Sequence, residues 1–216
     1  MTAVRAAVPA EVAVTGGVAR AGGPLRLRAL GTLLVTGGTV GLIAAAVLTV
    51  EKLHLAADPT YVPSCSINPV LTCGSVMSTP QAEAFGFPNS LLGVAGFPVV
   101  IAAGVALLSG AVLPRRLWLL LGAGTVAGGG FVHWLAFQSI YRIGALCPYC
   151  LAVWAVTIPV AWYVLLEVLT RHGGARARAV GQRLASVHAI ALTAWFVLVA
   201  SLITVEFWSY WSTLLR

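Results

Sequence analysis

Four cysteines are the residues of this chain best suited to covalent chemistry, and they form two pairs of different spacing. One pair is Cys147-Pro148-Tyr149-Cys150; the other, Cys65 and Cys73, is separated by Ser-Ile-Asn-Pro-Val-Leu-Thr. With Cys147 as the cap of a helix, Pro148 takes the first helical position, where its fixed torsion and missing N–H cost nothing. Cys150 then lies one turn in on the same face, so the two sulfurs can close a small ring. The positive end of the helix dipole stabilises a thiolate there, and such a thiolate both attacks and leaves well in thiol–disulfide exchange. A purely structural bridge would gain little, because closing so short a loop removes little entropy from the unfolded chain. No second CxxC and no nearby histidine completes a tetrahedral metal site, so a metal is the least favoured reading.

The wider pair sits in a loop with Pro63 and Pro69. It is either a staple or the swinging half of a relay, exchanging with soluble protein thiols and passing electrons to the fixed pair. Electrons reaching Cys147 and Cys150 need an acceptor. The chain shows no flavin, haem or iron–sulfur motif, and its apolar surroundings favour a lipid-soluble oxidant such as a quinone of the menaquinone or ubiquinone type.

The elements that must position these cysteines follow from composition. Of 216 residues, 59% are hydrophobic and 9% are charged, against roughly 45–50% and 25% in globular proteins. No water-facing surface can be built from that mixture, and the mean hydropathy of +0.94 is that of a helical membrane protein. Five apolar windows approach the length of about 20 residues that a span needs: about 29–50, 91–113, 117–137, 147–169 and 189–208. Helices are expected, since in hydrocarbon the backbone must satisfy its own hydrogen bonds and these runs lack the alternation of barrel strands. The net charge of +7 does not point to nucleic acid, because the basic residues punctuate the apolar runs instead of forming one face.

Lys and Arg in the connections set the orientation. Arg5, Arg20, Arg26, Arg28, Arg115, Arg116, Arg171, Arg176, Arg178 and Arg183 fall on one side, and only Lys52, Arg142 and Arg216 on the other. The amino terminus is therefore expected to be cytoplasmic, with the carboxyl terminus and all four cysteines outside, where disulfides persist. Residues 1–28 read as a cytoplasmic disordered tail, 29–210 as one transmembrane domain, and 51–88 as the outer loop holding the first cysteine pair.

Cys65 and Cys73, then Ser78-Thr79, then Phe85-Gly86-Phe87-Pro88-Asn89-Ser90-Leu91-Leu92-Gly93, then Cys147-Pro148-Tyr149-Cys150 together resemble the bacterial branch of the vitamin K epoxide reductase family, over roughly residues 29–169. The resemblance implies an all-α integral membrane protein: a four-helix bundle around a quinone site, with a fifth peripheral transmembrane helix. It implies that Cys65 and Cys73 carry electrons from a thioredoxin-like partner to Cys147 and Cys150, with Cys150 nearest the quinone. It also implies that Asn89 hydrogen-bonds a quinone carbonyl and that Thr79, or its neighbour Ser78, is a second polar contact. Animal members carry a Tyr four residues beyond the CxxC; Trp154 stands there in this chain, which favours plain quinone reduction over epoxide chemistry. Many bacterial relatives continue into a fused thioredoxin-like domain, whereas this sequence ends at Arg216, so the expected partner is a separate thioredoxin-fold thiol oxidase in the outer compartment.

His133 lies inside the third span, where an ionisable group is costly and should face the bundle. It is either a quinone or proton-transfer residue or a satisfied bundle histidine. The expected activity is a quinone-dependent thiol oxidoreductase, embedded in membrane lipid, that supports disulfide formation in exported proteins. The alternative is a non-catalytic membrane subunit or transporter with structural outer disulfides, although neither repeated halves nor several intramembrane charges are visible.

Overall fold

The computed structural model describes residues 23–214, so most of the expected tail lies outside the described residues. Among the described residues, five helices are long and apolar enough to cross a membrane. They are α1 (Gly23–Ala57), α3 (Ser90–Leu108), α4 (Arg115–Gln138), α5 (Pro148–Glu167) and α7 (His188–Glu206); α2 (Cys73–Met77), α6 (Ala175–Ser186) and α8 (Trp208–Leu214) are shorter.

The spans form an all-α membrane bundle in which α1 packs along α3 and α5, and α5 packs along α4. Small residues allow the close approaches. A side chain at Gly104 of α3 would meet the Gly31 carbonyl and Leu34 of α1, and one at Gly37 would meet Val160 of α5. Gly122 and Gly129 of α4 face Val168 and Ala161 in the same way. Leu30, Leu34, Val100, Leu107, Trp118, Val160 and Val164 fill the core between these helices. Only 6% of the apolar window of α7 is buried, which makes it the peripheral fifth helix; Trp195 and Phe196 hold it against His133 and Trp154.

Several boundaries differ from the sequence expectation. The first helix begins at Gly23, inside the segment expected to be tail, and runs to Ala57. Glu51, Lys52 and His54 are therefore helical, and the loop proper starts at Asp58. Charges end an apolar run, but they do not end a helix when the adjoining loop supplies them with partners. The expected outer loop also holds α2 and a 3-10 turn at Pro80–Glu83. The arginine-rich connection after α5 folds as α6, whose Gly181 packs on Leu169 and Thr170 while Arg176, Arg178 and Arg183 stay exposed.

Candidate redox site

All four cysteines gather at one end of the bundle. Cys147 caps α5 and Pro148 takes its first position; the Cys147 sulfur accepts the backbone N–H of Cys150 at 3.4 Å. The chain reaches this cap through a wide turn at Ser139–Ile143 and Gly144, whose φ of +69° lies in the left-handed region that glycine adopts without strain. Cys65 and Cys73 are joined as a disulfide, whereas Cys147 and Cys150 are free thiols.

The two pairs touch. The Sγ atoms of Cys73 and Cys147 are 3.0 Å apart, and with Cys65 the three sulfurs lie within 4.8 Å of one another. That is the range of a near-attack arrangement, about 3–3.5 Å between reacting atoms. Three thiolates so placed could also share a metal ion, but a sulfur tied up in a disulfide is not a thiolate donor.

A short backbone pairing creates this contact. Leu71 and Leu146 form an isolated parallel bridge, in which Thr72 N–H donates to the Leu146 carbonyl at 2.9 Å and Leu146 N–H donates to the Val70 carbonyl at 2.7 Å. Cys73 follows Leu71 by two residues and Cys147 follows Leu146 directly. The side chain of Asn68 sets the preceding turn by accepting the N–H groups of Val70 and Leu71. Val70, Leu71, Thr72 and Leu146 carry no signal in the sequence, because a two-residue pairing has no periodicity to detect; Asn68-Pro69 is the available turn signal.

The loop pair is less free than its sequence implies. Cys73 begins α2, and Cys65 and Cys73 are 5% and 0% exposed, packed with Leu48, Met77 and Cys147. Cys147 stands just ahead of the span of α5. Hydrogen bonding from the Cys150 thiol, together with the backbone N–H groups of Cys150 and Tyr149, holds the Cys147 thiol below the usual cysteine value against the opposing effect of burial.

A mostly apolar cavity of about 150 Å³ adjoins the thiols, with Cys147, Cys150, Thr79, Asn89, Trp154 and Lys52 in its wall. A second cavity of about 870 Å³ runs between α3 and α4, and the two share Asn89 and Gly93. Gly124 and Gly128 line the larger one, and a side chain built on either would meet nothing within 4 Å.

The remaining expected site residues are placed as follows. Asn89 caps no helix with its side chain; its Nδ2 donates to the Gln81 carbonyl at 2.7 Å and its Oδ1 accepts Ala84 N–H at 3.1 Å, which leaves one N–H uncommitted. Thr79 lines the smaller cavity while its hydroxyl donates to the Val76 carbonyl at 2.7 Å. Ser78 is exposed, donates to the Gly74 carbonyl and lines neither cavity. His133 also lines neither; its Nδ1 is 2.7 Å from the Gly129 carbonyl, and its ring meets Trp154 and Trp195. Trp154 Nε1 is buried and has no hydrogen-bond partner among the described residues.

No curated protein matches the chain. Residues 32–165, which include all four cysteines, the spans α3 and α4 and most of α1 and α5, match the sequence model of the vitamin K epoxide reductase family. With that match over more than half of its length, and with its cysteines brought into contact at one end of a helical bundle, the chain belongs to the vitamin K epoxide reductase family of membrane redox enzymes.

Proposed function

We propose that this protein is a quinone-dependent thiol oxidoreductase that takes electron pairs from a thioredoxin-fold partner and so supports disulfide formation in exported proteins. The observation that carries this reading is the 3.0 Å contact between Cys73 and Cys147. A disulfide serving only as a staple has no need of a third, free sulfur against it.

The relay balances as two exchanges. The partner's dithiol first reduces the loop disulfide and leaves as a disulfide. With the helix pair oxidised, the Cys73 thiolate attacks Cys147 Sγ, the Cys147–Cys150 bond breaks, and Cys150 leaves as a thiolate. Cys65 then attacks Cys73 Sγ, which restores the loop disulfide and expels Cys147. The hydrogen bonds that lower the Cys147 thiol help this last step, since a thiol of lower pKa leaves faster. The product, a loop disulfide beside two helix thiols, is the arrangement in this structure.

The residues present fit a quinone. The cavity beside Cys150 is mostly apolar, and Asn89 in its wall keeps an uncommitted side-chain N–H. That donor would hold a carbonyl oxygen, and the apolar walls of the larger cavity would take a hydrocarbon tail. A bound quinone supplies the two-electron oxidant for the helix pair. Around it, burial of Cys147 and Trp154 keeps water from the Cys147 thiol.

Charge supports an orientation with the cysteine end outside. Arg26, Arg28, Arg115, Arg116, Arg171, Arg176, Arg178 and Arg183 sit at the other end, among loops and helix termini. Quinone reduction by purified protein with a reduced thioredoxin-fold donor tests the reading. Cys150→Ala should abolish turnover with helical content unchanged; full turnover in that variant would refute the assignment.

A further inference from the structure

Two adjacent residues in the last turns of α1 reach the loop on both sides of its disulfide. Glu51 is 6% exposed, and among the described residues its carboxylate hydrogen-bonds only to Tyr61 and Ser64. Its carboxylate accepts the Tyr61 hydroxyl at 2.9 Å, the backbone N–H of Ser64 at 3.3 Å and the Ser64 hydroxyl. Ser64 immediately precedes Cys65. Lys52 donates to the Met77 carbonyl at 2.7 Å, at the far end of the helix that Cys73 begins, and pairs with Glu83 at 2.8 Å.

Burying a carboxylate is costly unless its oxygens are satisfied, and here one four-residue stretch satisfies them. The Leu71–Leu146 bridge ties the middle of the loop to the cap of α5. Without anchors at its two sides, the loop could rotate about that bridge and carry Cys65 and Cys73 off the line of attack. We propose that Glu51 and Lys52 are positioning residues for the sulfur relay, fixing Cys65 and the Cys73 helix so that the loop disulfide lies in contact with Cys147. This rests on the relay proposed above. Neither residue is part of the thiol chemistry; each acts through the segment it holds.

The test uses the full chain with Cys150→Ser, which removes the thiol that would resolve a crossed intermediate. The Cys147 thiolate then attacks Cys73 Sγ, the Cys65–Cys73 bond breaks, a Cys73–Cys147 bond forms, and Cys65 leaves and takes up the proton that Cys147 released. No oxidant is needed. Maleimide capture of Cys65 and mass spectrometry of the crossed disulfide give the rate. Adding Glu51→Ala or Lys52→Met should slow Cys65 release at least tenfold with helical content unchanged, and Lys52→Arg, which can still donate to Met77 and Glu83, should restore most of the rate. Unchanged rates in both loss variants would overturn the positioning role while leaving the relay intact. Slowing accompanied by maleimide capture of Cys147 as fast as in denaturant would also overturn it, because the residues would then merely hold the fold. Absence of any crossed disulfide in the Cys150→Ser parent would overturn the relay itself, and the positioning proposal with it.

Discussion

Replacing Thr72 by proline attacks the bridge that brings the two sulfur pairs together. Thr72 has φ of −144° and donates its N–H to the Leu146 carbonyl at 2.9 Å. Proline removes that donor and holds φ near −65°. The lost hydrogen bond costs about 1 kcal/mol, and stranding the carbonyl of a residue only 3% exposed costs about 1–3 kcal/mol if nothing replaces it. Where the loop swings away instead of enduring that cost, the contact geometry loses about 2 kcal/mol relative to its alternatives. At about 1.4 kcal/mol per factor of ten, the crossed Cys73–Cys147 disulfide should form roughly 30-fold more slowly. Thr72→Val is the control: it keeps the N–H and loses only the hydroxyl bond to Ser66. Rapid acid quenching of the Cys150→Ser chain, followed by alkylation and peptide mapping, reads the rate in each background. A proline variant within about threefold of its parent, or a valine variant slowed as much as proline, would refute the view that this backbone pairing sets the sulfur distance.

Two further outcomes follow from the same geometry. The Cys150 side chain stabilises the Cys147 thiolate, so Cys150→Ala should move the pH midpoint of crossed-disulfide formation upward relative to Cys150→Ser, which keeps a donor; coincident or reversed profiles would contradict this. A side chain at Gly104 would come within 2.8 Å of the Gly31 carbonyl, so Gly104→Val should destabilise the α1–α3 contact by about 1–3 kcal/mol and lower the unfolding midpoint in detergent, whereas Gly124→Ala, with open space around it, should not.

Much of the fold could be read from the chain because lipid imposes so narrow a solution: long apolar runs must become helices, and all five did so close to where hydropathy placed them. The cap at Cys147 with Pro148 behind it was equally legible, since both preferences are local. What escaped depended on partners distant in sequence. Glu51 and Lys52 look like the start of a loop until Ser64, Tyr61, Met77 and Glu83 are seen to satisfy them. The bridge between Leu71 and Leu146 joins segments 75 residues apart and leaves no repeating pattern. Helix α6 hid behind its arginines, which read as a charge marker for orientation although their spacing leaves Gly181 free to pack.

The depth at which the loop sulfurs are held also bears on traffic through the proposed relay. With Cys65 5% exposed and Cys73 fully enclosed, a soluble dithiol would reach them only if the segment around Ser64 lifted. If that raised form makes up about 1% of molecules, the apparent affinity for a reductant falls about a hundredfold from its intrinsic value. Ambient small thiols bear that penalty in full, whereas a docking protein that binds the raised segment offsets it with contact energy. Under the proposed relay, enclosure of the sulfurs would filter electron donors by how seldom that segment rises and not by the chemistry beneath it.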